Sequence, residues 1–284
     1  MDRILFGDNQ FFGVNHMSEE KARAQAMQFR DVNSMMKVLD IAYDAGIRTF
    51  MCTTHDRIGE VCEIVRRNPD RYPEFKFYPG MPYAHKYANA VTEEGIIGTL
   101  KKFTSGNVLG VLAKGGKAVM TQDVVSMMKL LVDAEMKMFA GLSTDVIFLQ
   151  NVVVDLIVGL GAEKVFVEFA RYVKEQYDAE PGFFTMNLPR LLDVLENCGI
   201  ENPIICASIN KIGFRMCGGK ELYEEVIATR KFRPIAMSIF ASGAINPKEG
   251  VEYVCGLENV TSIVFGASSR RNILQTKELI EKYS

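Results

Sequence analysis

The sequence has no excess of charge of either sign: 33 lysines and arginines stand against 35 aspartates and glutamates in 284 residues. Without a net field there is nothing to gather nucleic acid or an anionic membrane surface, so small-molecule partners are expected and those two are not. No apolar run approaches the roughly 18 residues of a membrane span. The opening MDRILFGDNQFFG mixes acid and base and has neither a long apolar stretch nor a small-residue cleavage site, so no secretory signal is expected. The six cysteines form no CxxC pair and mostly fall in predicted strands or helices, as reduced buried thiols do, and a cytoplasmic protein is expected. Histidine is scarce, with three in all, and no HExxH pair exists, so a shared divalent metal is disfavoured. Linkers and low-complexity segments are missing too, which predicts one domain over residues 1–284.

What is present is a repeat of two periodicities. Strand-like runs of β-branched and aromatic residues fall at 3–7, 48–53, 75–80, 145–150, 182–187, 203–210, 233–240 and 261–267. Helical patterns separate them at 31–46, 57–67, 91–103 with 119–139, 152–177, 188–198, 219–229, 247–255 and 270–282. Near-continuous apolar strands joined by helices make a parallel sheet, because only a crossover helix returns the chain to start a parallel neighbour. Eight such units predict a closed (β/α)8 TIM barrel. The rival, an open doubly wound sheet, lacks its glycine fingerprint: FGDNQFFG follows the first strand. Gly46, Gly199 and Gly256 fall where left-handed helix caps are expected, and the glycine-rich segment 104–118 reads as a candidate lid.

In a TIM barrel the chemistry lies at the C-terminal mouth, on the loops that follow the strands. The first loop carries Asp8, Asn9, Gln10 and His16; the second carries His55 and Asp56; the third carries Tyr83, His85 and Lys86. Gln150, Asn187, Asn210 and Lys211 follow the fourth to sixth strands. All three histidines therefore sit on the active side, where imidazole suits proton transfer near neutral pH. Tyr83, His85 and Lys86 place a phenol, an imidazole and an ammonium within four positions, a set able to protonate a carbonyl or enolate oxygen. Lys211 stands where a barrel lysine forms a Schiff base, given enough desolvation to depress its pKa. FGASSRRN, residues 265–272, ends a strand in Gly266, Ala267, Ser268 and Ser269 and starts a helix at Arg270, so amide groups, hydroxyls and the positive helix end converge on an anion site. Serines that merely cap the helix satisfy the same groups.

Two stretches resemble the aldo/keto reductases. PIAMSIFASGAINPKEGVEYVCGLENVTSIVFGASSRRNI is similar to that family's end, with its V-x-S-I-V-x-G-A-S-S strand, and LDIAYDAGIRTFMCTTHDRIGE to its A-L-D-x-G-I-N-x-F-D-T-A-x-x-Y-G. The resemblance implies a barrel and NADP, its phosphate-bearing part held at Gly266, Ala267, Ser268 and Ser269. It also implies an aspartate, tyrosine, lysine and histidine tetrad, and none of the four is found. Cys52 takes the aspartate's place, about Arg57 the tyrosine's and Gln150 the histidine's, and no lysine ends the third strand.

The leading expectation is therefore acid-base chemistry of lyase, aldolase or isomerase type on a polar, anionic or phosphorylated carbonyl or hydroxy compound. His55 and His85 would exchange protons, Lys86 or Lys211 would stabilise an oxyanion, and Ser268, Ser269 and Arg270 would hold the anion. The alternatives are an NADP-dependent oxidoreductase with a substitute catalytic set and a non-catalytic metabolite-binding barrel. A homo-oligomer is compatible with each.

Overall fold

The computed structural model describes residues 1–14, 18–83 and 117–284. Eight parallel strands close into a barrel in chain order, β1 pairing with both β2 and β8. They are β1 (Ile4–Gly7), β2 (Thr49–Thr53), β3 (Lys76–Met81), β4 (Val146–Leu149), β5 (Glu180–Thr185), β6 (Ile204–Ser208), β7 (Arg233–Met237) and β8 (Ser262–Phe265). The described helices are α1 (Glu19–Gln28), α2 (Val32–Asp44), α3 (Asp56–Arg67), α4 (Lys117–Met136), α5 (Asn151–Leu160), α6 (Lys164–Tyr177), α7 (Leu188–Asn197), α8 (Lys220–Thr229), α9 (Pro247–Cys255) and α10 (Arg270–Tyr283). The expected barrel is thus the fold. No described helix is long and apolar enough to cross a membrane.

Strand alternation splits the core in two. Leu5, Met51, Tyr78, Phe148, Cys206, Ile235 and Val264 fill the lumen, while their sequence neighbours Phe6, Phe50, Cys52, Phe77, Ile147, Ala236 and Phe265 pack outward against the helices. Each fully buried phenylalanine contributes about 1.5–3 kcal/mol through area removed from water. Two rings close the lumen, Phe148 and Phe184, with centroids 4.9 Å apart. They fit because glycines face them across the lumen: a Cβ on Gly182 would lie 2.4 Å from the Phe148 ring, and one on Gly80 2.8 Å from Phe184.

Several boundaries differ from the sequence reading for local reasons. The predicted helix 152–177 is two helices, because Gly161 adopts a left-handed φ of 63° and ends α5. Strand β5 starts two residues early, at Glu180, whose carboxylate is paired with Arg233. The unexpected α1, EEKARAQAMQ, has good helix formers but almost no apolar face, so periodicity does not reveal it. Gly46 and Gly199 are left-handed as expected, at φ 91° and 71°. Gly256 is not; it keeps a right-handed φ of −73°, and the Leu257 amide closes the turn onto the Val254 carbonyl. His16, His85, Lys86, the predicted helix 91–103 and most of the segment 104–118 lie outside the described residues.

Candidate active site at the barrel mouth

The row that fills the lumen reaches the mouth two residues further along each strand, at Gly7, Thr53, Gly80, Gln150, Met186, Ser208, Met237 and Gly266. This row corrects one expectation. Cys52 does not face the mouth; it lies in the outer core, and burial pushes its thiol pKa well up, with the charge of Asp8 adding to the effect. The lumen residues beside it are Met51 and Thr53, so a one-residue register decides which side chain the mouth receives.

A carboxylate arrives from the neighbouring strand instead. Asp8, buried just past β1, accepts hydrogen bonds through Oδ2 from the Thr53 amide and hydroxyl, each at 2.7 Å. Burial raises the Asp8 pKa, and the two Thr53 bonds offset part of that rise.

His55 caps α3. Its Nδ1 accepts from the Arg57 amide at 3.1 Å, which assigns the proton of the neutral ring to Nε2. The ring stacks on Phe12 with centroids 4.4 Å apart and lies 5.8 Å from the Tyr83 ring. Asp56 is exposed in the first turn of α3, where its charge favours the positive helix end. Arg57 reaches the other way, its guanidinium 4.9 Å above Phe12 and its Nη1 donating to the Phe29 carbonyl.

Tyr83 follows β3. Burial raises its phenol pKa, the charge of Asp8 raises it further, and Arg57 opposes both. Asp8, His55, Arg57 and Tyr83 thus share one neighbourhood. Behind them is a group that sequence reasoning missed. Glu135 of α4 is 1% exposed; it accepts from the Thr54 hydroxyl at 2.5 Å and from the Tyr83 amide at 3.2 Å. The signal was present: Val125, Met128, Val132 and Met136 mark the buried face of α4, and Glu135 falls on it. A carboxylate on an apolar stripe has to find donors.

The remaining candidates divide. Gln150 reaches the mouth half-buried, at the N-cap of α5. Asn9 is exposed in a short 3-10 turn. Asn187 caps α7, accepting from the Arg190 amide at 3.4 Å. Asn210 is fully buried and turned onto its own loop, donating to the Phe214 carbonyl and accepting from the Phe214 amide, both at 2.8 Å. Lys211 is not brought to the others: its ammonium is half-exposed and paired with Glu249 at 2.8 Å. Ser208 places a buried hydroxyl at the mouth that has no hydrogen-bond partner among the described residues.

At β8, Ser269 caps α10 by accepting from the Asn272 amide at 3.3 Å, and Arg270 is exposed. Gln10 donates to the Gly7 carbonyl at 2.8 Å, and its buried Oε1 has no partner among the described residues. That oxygen lies over Gly266, 2.1 Å from where a Cβ would be, so only glycine leaves room. Among the described residues no group of three or more His, Cys, Asp or Glu is placed to share a metal ion. A cavity of about 650 Å³ opens at the opposite end of the barrel, but its Arg48, Lys76 and Lys277 are paired with Glu74, Asp145 and Glu281.

The barrel has the fold of the aldo-keto reductases. A putative aldo-keto reductase from Pseudomonas aeruginosa superposes over 99% of this chain and 90% of its own, with a TM-score of 0.62 and 11% identity. Aldose reductase from Giardia lamblia gives a TM-score of 0.55 at 11% identity, over 98% of this chain and 87% of its own. A variant of the protein Gox0644 in complex with NADPH gives 0.53 at 10% identity, over 98% and 83%. No protein-family model and no curated protein matches the sequence. At 10–12% identity this likeness is one of fold.

Proposed function

We propose that this chain is an NADP-dependent oxidoreductase acting on a small carbonyl or hydroxy compound through a substitute catalytic set. The observation that carries the reading is the convergence of Asp8, His55 and Tyr83 at the mouth of an aldo-keto reductase-like barrel. One similar structure is a complex with NADPH, which adds support.

The residues at β8 fit the phosphate-bearing end of such a cofactor. The first turn of α10 holds no acid, and Ser268, Ser269 and Arg270 stand at its N-terminus, where they would hold the phosphate; Gln10, whose Oε1 fills the space over Gly266, would turn its amide to donate. When bound, NADPH supplies the hydride. Tyr83, kept protonated by burial and by Asp8, donates its proton to the carbonyl oxygen. His55 offers Nε2–H to the same oxygen, its ring held against Phe12. Asp8 fixes Thr53 at the mouth, and Glu135 fixes the Tyr83 backbone. The lyase, aldolase or isomerase reading draws less support, since its Schiff-base candidate Lys211 is spent in an ion pair at the rim.

NADPH fluorescence titration together with steady-state reduction of an aldehyde panel tests the proposal. Binding is expected, and Tyr83→Phe is expected to lower kcat by about 10²–10⁴ with NADPH affinity unchanged. No binding at millimolar cofactor would remove the reading.

A further inference from the structure

Arg48, Arg66, Arg230 and Arg233 are half-buried, and each is paired with a carboxylate, of Glu74, Glu63, Glu196 and Glu180 respectively. A partly desolvated charge is costly without such compensation. Two half-buried arginines have no acid beside them among the described residues. Arg3 is at the opposite end of the barrel, tied to the Val260 carbonyl and the Ser284 hydroxyl. Arg57 is at the mouth.

Arg57 is held in place rather than neutralised. Its Nη1 donates to the Phe29 carbonyl just past α1, and its guanidinium sits 4.9 Å from the centroid of the Phe12 ring. Both supports are themselves fixed: Phe29 is 1% exposed and meets Phe11 edge-on at 5.0 Å, and Phe12 is stacked on His55 at 4.4 Å. A guanidinium has five N–H groups, so the Phe29 carbonyl leaves a planar edge for a further acceptor. Phe12 joins this cation to the proton donors, because the ring that carries Arg57 also carries His55, and His55 lies 5.8 Å from the Tyr83 ring. The charge of Arg57 is felt at the Tyr83 phenol as well, where it works against the rise in pKa caused by burial. Phe12, His55, Arg57 and Tyr83 are all partly exposed, so a ligand in the mouth has access to them.

We propose that Arg57 binds a carboxylate of the substrate while the carbonyl oxygen turns to Tyr83 and His55, making the substrate class short oxo acids. As a statement about substrate this rests on the oxidoreductase reading; as a carboxylate site beside His55 it stands alone. A guanidinium already fixed in place takes a carboxylate through paired, charge-assisted hydrogen bonds with little further loss of side-chain freedom, and a neutral amide of the same shape does not form that pair.

The chain has three histidines, so the His55 Hε1 resonance can be followed by proton NMR in the full-length protein and assigned with His55→Gln. Pyruvate and its neutral amide, pyruvamide, are titrated against that signal. Pyruvate is expected to bind at least about tenfold more tightly than pyruvamide. Arg57→Gln should weaken pyruvate about tenfold or more and leave pyruvamide unchanged, and Arg57→Lys should recover part of the loss. A role limited to holding Phe12 and Phe29 would weaken both ligands alike, and that result overturns the proposal. So does equal affinity for the two ligands in the parent protein, a His55 signal that does not respond, or an Arg57→Gln protein that keeps the preference; the first two of these need no variant to fold. If pyruvate binds as expected while NADPH drives no turnover, the oxidoreductase reading falls and the carboxylate site remains.

Discussion

Glu135 is the position at which packing and chemistry are most tightly joined, and a double-mutant cycle with Thr54 measures the join. The carboxylate is 1% exposed and the Thr54 hydroxyl fully buried, 2.5 Å apart. In such a place a hydrogen bond to a charged acceptor is worth about 1.5–3 kcal/mol, and a stranded buried donor costs about 1–3 kcal/mol. Glu135→Leu strands the Thr54 hydroxyl and the Tyr83 amide among the described residues, but also removes the cost of burying a charge, so its net effect alone is a poor gauge. The cycle of Thr54→Val, Glu135→Leu and the double variant cancels that term. A coupling of about 1.5–3 kcal/mol is expected from urea unfolding followed by circular dichroism. Because Glu135 holds the Tyr83 backbone, the same variant should lose about 100-fold in turnover, the effect of misplacing a proton donor by about 1 Å. A coupling below about 0.5 kcal/mol, in a variant that folds, would refute the reasoning.

Three further outcomes rest on Asp8, Tyr83 and Gly182. The Asp8 pKa is raised in the folded state, so the folded protein binds its proton more tightly than the unfolded chain; stability present below the ordinary carboxylate range is lost as pH rises through the raised value. Asp8→Asn keeps an acceptor for Thr53 and abolishes this loss, so the variant's stability relative to the parent should be greater at pH 7 than at pH 3, and unfolding curves at the two pH values check the sign. In the same variant the Tyr83 phenol loses one of the causes that raise its pKa, and the alkaline limb of any Tyr83-dependent rate should move to lower pH. Gly182→Ala places a Cβ 2.4 Å from the Phe148 ring inside the lumen. Overpacking of this kind costs about 1–3 kcal/mol, and an unchanged urea midpoint would show that the two rings can give way.

The candidate site was only partly legible in the sequence. That Asp8, His55 and Tyr83 follow successive strands could be read from the order of periodic segments, and order alone assigns them to one face. Their individual duties could not. Asn187, Asn210 and Lys211 also follow strands, and the structure turns them to a helix cap, a loop clamp and an ion pair. Loop polar groups bond whichever backbone or charge lies within reach, and that is settled only when the chain has folded. Cys52 shows the same limit on a strand: a register one residue off sends the side chain into the outer core.

The sequence by itself determined the eight-fold alternation of strand and helix, and with it the closed barrel and the end at which chemistry is sought. Hydrophobic period and crossover geometry are local properties summed along the chain, so they can be read without coordinates. Only the tertiary structure decided that Glu135, 81 residues from Thr54, closes onto it behind the mouth, and that Asp8, 45 residues from Thr53, accepts from its amide and hydroxyl. Those are meetings between distant segments, and their partners are chosen by how side chains pack rather than by any pattern along the chain.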